Sequence, residues 1–308
     1  METGLIIAIV VATLQAGTPL ALAATGELVT ERAGVLNLGV EGMMLMGAMT
    51  GFIVAYETGS YALGVSAAAA AGMAMALIFA LLTQTLLANQ VATGLALTIF
   101  GTGLSAFFGR NWAGQSLDGL EPLNIPLLAD LPLLGPLLFR HDVLVYLSWL
   151  LPLAVYLFLY RSRGGLALRA IGESPPVADA LGYPVIGIRY AAIVFGGALS
   201  GLAGAYLSLV YTPLWQEAMT AGRGWIALAL VVFATWRPGL VLAGAYLFGF
   251  VTIANFQAQA LGWEVAPEIL AMLPYLATIV ALVLISMDRS RVRLNAPLSL
   301  TKNFHPTR

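Results

Sequence analysis

Any chemistry this chain performs must be done without thiols, because it contains no cysteine; thiolate nucleophiles, thiolate metal sites and disulfides are all excluded. Its two histidines, His141 and His305, lie far apart, and neither belongs to a His-Glu-x-x-His spacing that could hold a metal. The only lysine, Lys302, follows Thr301 rather than a glycine-rich loop, so no phosphate-binding P-loop can form. Work driven by ATP must come from a separate subunit. What remains are polar side chains set into apolar sequence, whose chemistry is to hydrogen-bond a solute or one another. Asn37 and Glu41 stand within one helical turn in Thr25 to Gly47, a stretch punctuated by Gly34, Gly39 and Gly42. Glu41, near a membrane boundary, either caps the amino end of the following helix, where negative charge is favoured, or lines a wet pathway. Asn89, Gln90 and Thr93 form a second cluster, and Asn255, Gln257 and Gln259 a third; such groups suit a path for a neutral, hydroxyl-rich solute and equally serve as glue between helices. Tyr211, Trp215, Gln216 and Glu217 read as an aromatic interfacial belt or as contacts to a solute donor.

A different kind of chemistry is written into Arg161 to Arg189, a polar interruption between two long apolar runs. Leu166, Ala167, Ala170 and Ile171 give a small apolar face at helical spacing, and the helix should stop near Glu173 because Pro175 and Pro176 cannot continue it. A second short turn, Val177 to Leu181, should end at Gly182. A short helical pair tethered on both sides to the bilayer is suited to docking a soluble partner.

The elements that position these residues are membrane helices. With 60% hydrophobic and 9% charged side chains, the chain is too apolar to solvate a globule of its size. The net charge of −1 gives no basis for binding nucleic acid. Met1-Glu2-Thr3 lacks the basic start of a secretory signal, so Leu5 to Ala24 is expected to remain as a span. On the ruler of about 20 apolar residues per helix, about nine spans are expected, centred near Ala12, Ala48, Ala71, Ile99, Leu151, Leu199, Ala229, Leu247 and Ile279. Placing Arg161 to Arg189 in the cytosol puts eleven of the 14 basic residues on that side, leaving Arg110, Arg140 and Arg223 outside. That bias places the carboxyl tail, 288–308, in the cytosol. The expected fold is therefore an all-α polytopic membrane protein, a single transmembrane domain over 1–308. If the fifth span is a connector, four spans precede it and four follow with opposite polarity, which is an inverted repeat.

The residues ERAGVLNLGVEGMMLMGAM, GLALRAIGESPPVADALGYPV and GALSGLAGAYLSL resemble the permease subunits of ATP-binding-cassette importers in the branched-chain amino acid, ribose and nucleoside class. GVLNLGVEGMM is most similar to the nucleoside and simple-sugar branch, and departs at Asn37 and Glu41 from the GIDLSVG pattern of the ribose permeases. The resemblance implies a two-permease core, commonly two different chains, with cytosolic ATPase subunits and an extracytoplasmic solute-binding lipoprotein. The permease itself would bind no cofactor, catalyse no reaction and sit in the inner (plasma) membrane. It also implies that Gly165 to Gly182 is the coupling element seated on the ATPase, involving Leu168, Arg169, Ile171, Gly172, Glu173 and Ala178. The expected function is nucleoside import by alternating access. The alternatives are a simple-sugar or branched-chain amino acid permease of the same mechanism, and a lone ion-coupled carrier. The last requires a buried charge at mid-span, and the sequence offers no convincing one, since Glu41 is near a boundary.

Overall fold

In a computed structural model of the chain, the described residues are 2–124, 126, 128–129, 131, 134–260 and 295–305, together with 272, 276, 280 and 283. Helices dominate them. α1 (Glu2–Arg32) runs unbroken through Pro19, so the expected first span continues well beyond Ala24. Seven irregular residues, 33–39, lead to α2 (Val40–Thr58). α3 (Tyr61–Ala80) ends in a wide π turn, Leu81–Thr85, and α4 (Gln90–Gly109) follows. The segment up to α6 (Val143–Arg161) holds a short α5 (Leu134–Leu138) and one antiparallel pair, β1 (Leu123–Asn124) with β2 (Arg140–His141). Asp142 starts α6 by accepting from the Leu144 and Val145 amides at 2.9 and 3.1 Å, and burial pushes its carboxyl above the usual range.

The polar interruption folds close to its expected form. α7 (Arg163–Glu173) is capped by Ser162, whose hydroxyl accepts from Gly165 at 2.9 Å. α8 (Pro175–Ala180) starts on the proline pair, and the chain leaves it through Gly182, whose φ of +86° is a conformation that glycine adopts without a Cβ clash. The expected apolar face is displaced. Ala167, Leu168, Ile171 and Gly172 turn inward while Leu166 and Ala170 are exposed, because the corner with α6 turns the 168–171–172 side toward the bundle. α9 (Val185–Tyr206) extends into a second π turn, Leu207–Tyr211; α10 (Arg223–Phe233) and α11 (Pro238–Ala260) follow.

Among the described residues, six helices are long and apolar enough to cross a bilayer: those at 4–32, 61–85, 90–112, 143–161, 185–211 and 238–259. Eight of the nine expected centres fall inside helices, and the ninth, Ile279, lies outside the described residues. Ala48, in α2, and Ala229, in α10, mark helices that are not among these six; the 11 residues of α10 rise about 16 Å, half of a bilayer core of about 30 Å. Packing centres on α9, which lies against α1, α2 and α3. There the backbones meet at Gly26 and Gly196, Gly47 and Gly201, and Gly72 and Gly197, the close approach that small residues permit where no water drives helices together.

Candidate functional site

The depth of the irregular segment 33–39 follows from its neighbours. Gln90 opens α4 and its amide oxygen accepts from the Leu36 amide at 3.0 Å, whereas Gly42, on the first turn of α2, lies against Leu97, Thr98 and Gly101. Gly101 is eleven residues further along α4, about 16 Å of rise, in the middle of that helix. α10 gives a second ruler. Its first turn touches Glu41 and the turn beyond its far end, at Trp236, touches Glu31 and Arg32. α2 and α10 therefore both begin about halfway across the bundle, and Glu41 lies at mid-depth rather than at a boundary.

Irregular backbone at that depth needs its polar groups satisfied, and buried side chains do this. The Asn37 amide donates to Glu27 Oε1 at 2.9 Å, Thr98 Oγ1 to the Leu38 carbonyl at 2.9 Å, and Arg189 Nε to the Ala33 carbonyl at 3.1 Å. Asn37 closes its own turn by accepting from the Gly39 amide at 2.9 Å, and its amide nitrogen lies 3.5 Å from Met43 sulfur. Gly34, at φ +84°, makes the turn out of α1, where a Cβ would also strike Ser299 Oγ.

The Glu41 carboxylate is spent on the start of α10. Oε1 accepts from Thr220 Oγ1 at 2.5 Å and the Gly222 amide at 2.8 Å, and Oε2 from the Gly224 amide at 2.6 Å. Unpaired amides and the helix dipole favour an anion there. Glu41 thus caps a helix, as one of its two readings held, but the helix is α10, not the one that Glu41 itself begins. The loop feeding α10 is tightly wound: Ala218, Ala221 and Gly222 all have positive φ.

Two further carboxylates were missed. Glu27 and Glu31 are 1% and 0% exposed, one turn apart on α1, in a stretch that reads as a polar boundary. Glu31 Oε2 accepts from Trp236 Nε1, and its Oε1 is buried without a partner among the described residues. Nothing local betrays them, since Trp236 lies 205 residues away in the chain.

At the end of the bundle, two buried arginines gather distant segments. Arg32 donates to the Trp236 carbonyl at 3.2 and 2.9 Å, to the Asn295 carbonyl at 2.9 Å and to Tyr160 Oη at 3.3 Å. Besides the Ala33 carbonyl, Arg189 reaches Ser299 Oγ at 3.2 Å and, at 3.4 Å, Gln84 Oε1 and the Lys302 carbonyl.

The expected pathway residues do not form one cluster. Asn37, Glu41 and Gln90 belong to the broken segment or its support. Asn89 is an exposed cap on α4, accepting from the Ala92 amide at 3.0 Å. Thr93 lines a separate, mainly apolar cavity of about 480 Å³ with Ile78, Leu82 and Phe100. Gln259 and Asn255 bond each other on an exposed face of α11 at 2.8 Å. Of the six residues expected to contact the ATPase, Leu168, Ile171, Gly172 and Ala178 are buried against the bundle. Arg169 is half-buried with its guanidinium 5.0 Å over the Tyr160 ring, and Glu173 is exposed. The outward apolar side chains are instead Leu166, Val177 and Leu181. Among the described residues, no three His, Asp or Glu gather to hold a metal ion.

A family model described as branched-chain amino acid transport system / permease component matches residues 9–285. The putative glucose ABC transporter permease protein of Haloferax volcanii is 45% identical, over 96% of each chain. The guanosine ABC transporter permease protein of Bacillus subtilis is 32% identical over 89% of this chain and 90% of its own. The nucleoside ABC transporter permease protein of Lactococcus lactis is 30% identical over 87% and 88%. No solved structure matches.

Proposed function

We propose, given that this chain belongs to the family of branched-chain amino acid transport system permease components, that it forms half of the membrane path of an ATP-driven importer of nucleosides. The observation that carries the mechanism is the α7–α8 pair: Leu166, Val177, Leu181 and Glu173 face outward while Gly172 packs against the Arg32 carbonyl at the end of α1. A separate cytosolic ATPase docks on that outward face. Its closure moves α7–α8, and rigid helices carry the motion to mid-depth, opening the path alternately to either side. Arg32, Arg161, Arg163, Arg169, Arg189 and Arg237 belong to this end, which supports a cytosolic assignment of it and of the carboxyl terminus.

The solute passes near the place where α2 and α10 begin, the position of broken helices in transporters built as inverted repeats. A common pattern supports such a repeat. α1 and α9 are each long, each is followed by irregular chain, and each leads to a helix that starts at mid-depth. A second, different permease completes the core, and a solute-binding lipoprotein delivers from outside.

The nucleoside assignment rests on the relatives whose names specify guanosine and nucleosides. A simple sugar is the second reading, favoured by the 45% identical glucose permease; both solutes present uncharged hydroxyls. Uptake of labelled guanosine and labelled glucose in a strain lacking this chain tests the choice. Loss of guanosine uptake alone supports the first, and loss of glucose uptake alone rejects it.

A further inference from the structure

The carboxyl-terminal segment 295–305 is expected from the sequence as a plain cytosolic tail, yet it is wedged into the bundle end. Pro297, Ser299 and Phe304 are buried. On one side it grips α7–α8: the Ser299 amide and hydroxyl donate to the Gly172 carbonyl at 3.0 and 2.7 Å, and Phe304 packs with Ile171, Ala178 and Val185. On the other side it holds the groups that support the broken segments. Arg189 bonds Ser299 and Lys302 with two nitrogens and the Ala33 carbonyl with the third. Gln90 donates to Asn303 Oδ1 at 3.3 Å while accepting from Leu36, and Asn303 Nδ2 donates to the Leu87 and Ala88 carbonyls. Leu87, at φ +58°, sits in the gap between the π turn of α3 and the start of α4.

We propose that residues 295–305 are a transmission element, with Ser299 and Asn303 as its positioning residues, relaying displacement of α7–α8 to the segments 33–39 and 86–90. The inference rests on the reading of α7–α8 as the docking site. The geometry assigns the relay because each anchor is shared. Gly172 is in the last turn of α7, Arg189 lies one turn into α9, and Gln90 opens α4, and each binds the segment within a stretch of five residues. A shift of α7 therefore pulls Ser299, and Ser299 shares Arg189 with the turn at Ala33. Side chains that serve two partners at once transmit a displacement which separate contacts would absorb.

The test uses the full transporter, with its ATPase and binding protein, in proteoliposomes, reading uptake of labelled guanosine, or glucose if the wild type imports that, together with ATP hydrolysis. Asn303→Ala and a chain ending at Pro297 are compared with Ser299→Ala. We expect Asn303→Ala to lower solute moved per ATP by about fivefold, with the ATPase still co-purifying and the melting temperature of the complex unchanged. The truncation is expected to lower it further. If uptake and hydrolysis fall in parallel with the melting temperature in all three variants, the segment is merely structural and the proposal fails. It also fails if solute moved per ATP is unaltered. Glu173→Arg separates the two levels. If that variant retains its ATPase and normal uptake, the docking assignment is wrong, whereas a null result confined to Asn303→Ala and the truncation overturns the relay alone.

Discussion

Two buried polar clusters organise this molecule, and they solve opposite problems. At mid-depth, Glu41 on α2 supplies a negative charge to the bare amides that begin α10. At the bundle end, Arg32 and Arg189 supply positive charge to the carbonyls of Ala33, Trp236, Asn295 and Lys302. A carboxylate can accept from several amides at one helix start, so the first cluster joins two elements. A guanidinium carries five donors in a fixed fork, so each arginine in the second gathers three or four. Broken helices are fastened pairwise in the interior, and the segments at the bundle end are fastened collectively.

Several substitutions break or sharpen this contrast. Arg189→Ala should do the most damage, since it strands the buried Ala33 carbonyl and Gln84 amide and releases the Lys302 carbonyl. A loss of about 3–5 kcal/mol is expected on removing one partner from a buried charged network, seen as a large drop in the melting temperature of the detergent-purified protein. Arg189→Lys should recover only part of it, because an ammonium cannot span the same partners.

Glu41→Gln keeps the size and one acceptor but removes the charge facing the α10 amides. A smaller cost of about 1–2 kcal/mol is expected, with a clear fall in uptake because the affected turn is at mid-depth. If the melting temperature falls as far as for Arg189→Ala, the two clusters are not of different kinds. Gly224→Ala attacks the same contact from the other side, since a Cβ there would lie 2.6 Å from Glu41 Oε2 and from its backbone nitrogen. It should mimic Glu41→Gln in transport assays. Asn37→Leu loses the bond to the Gly39 amide, worth about 1 kcal/mol; uptake should fall moderately with little change in melting. Glu173→Arg, on an exposed side chain, should leave the melting temperature alone and act on coupled ATP hydrolysis.

The sequence was most readable where local rules decide. The proline pair at 175–176 and Gly182 bound α7 and α8, and the apolar runs locate the helices around Ala12, Ala71, Ile99, Leu151, Leu199 and Leu247. It was least readable where a partner far along the chain decides. Glu27, Glu31 and Glu41 all stand in a stretch that looks like a polar edge, because hydropathy records where apolar sequence resumes and not how far the intervening backbone has climbed. Seven irregular residues carry the chain into the bundle between α1 and α2, supported by Gln90, Thr98 and Arg189, none of which is near them in sequence. The inward turn of Leu168 and Ile171 was hidden for the same reason: both sides of α7 carry aliphatic residues, and only the corner with α6 chooses between them.

The bond from Glu41 to the beginning of α10 also limits how the bundle can open. A rivet of three short hydrogen bonds, made inside an apolar body, turns α2 and α10 into a single rigid unit. Whatever seam parts when the permease changes which side it faces, that seam runs around this pair and not between its members.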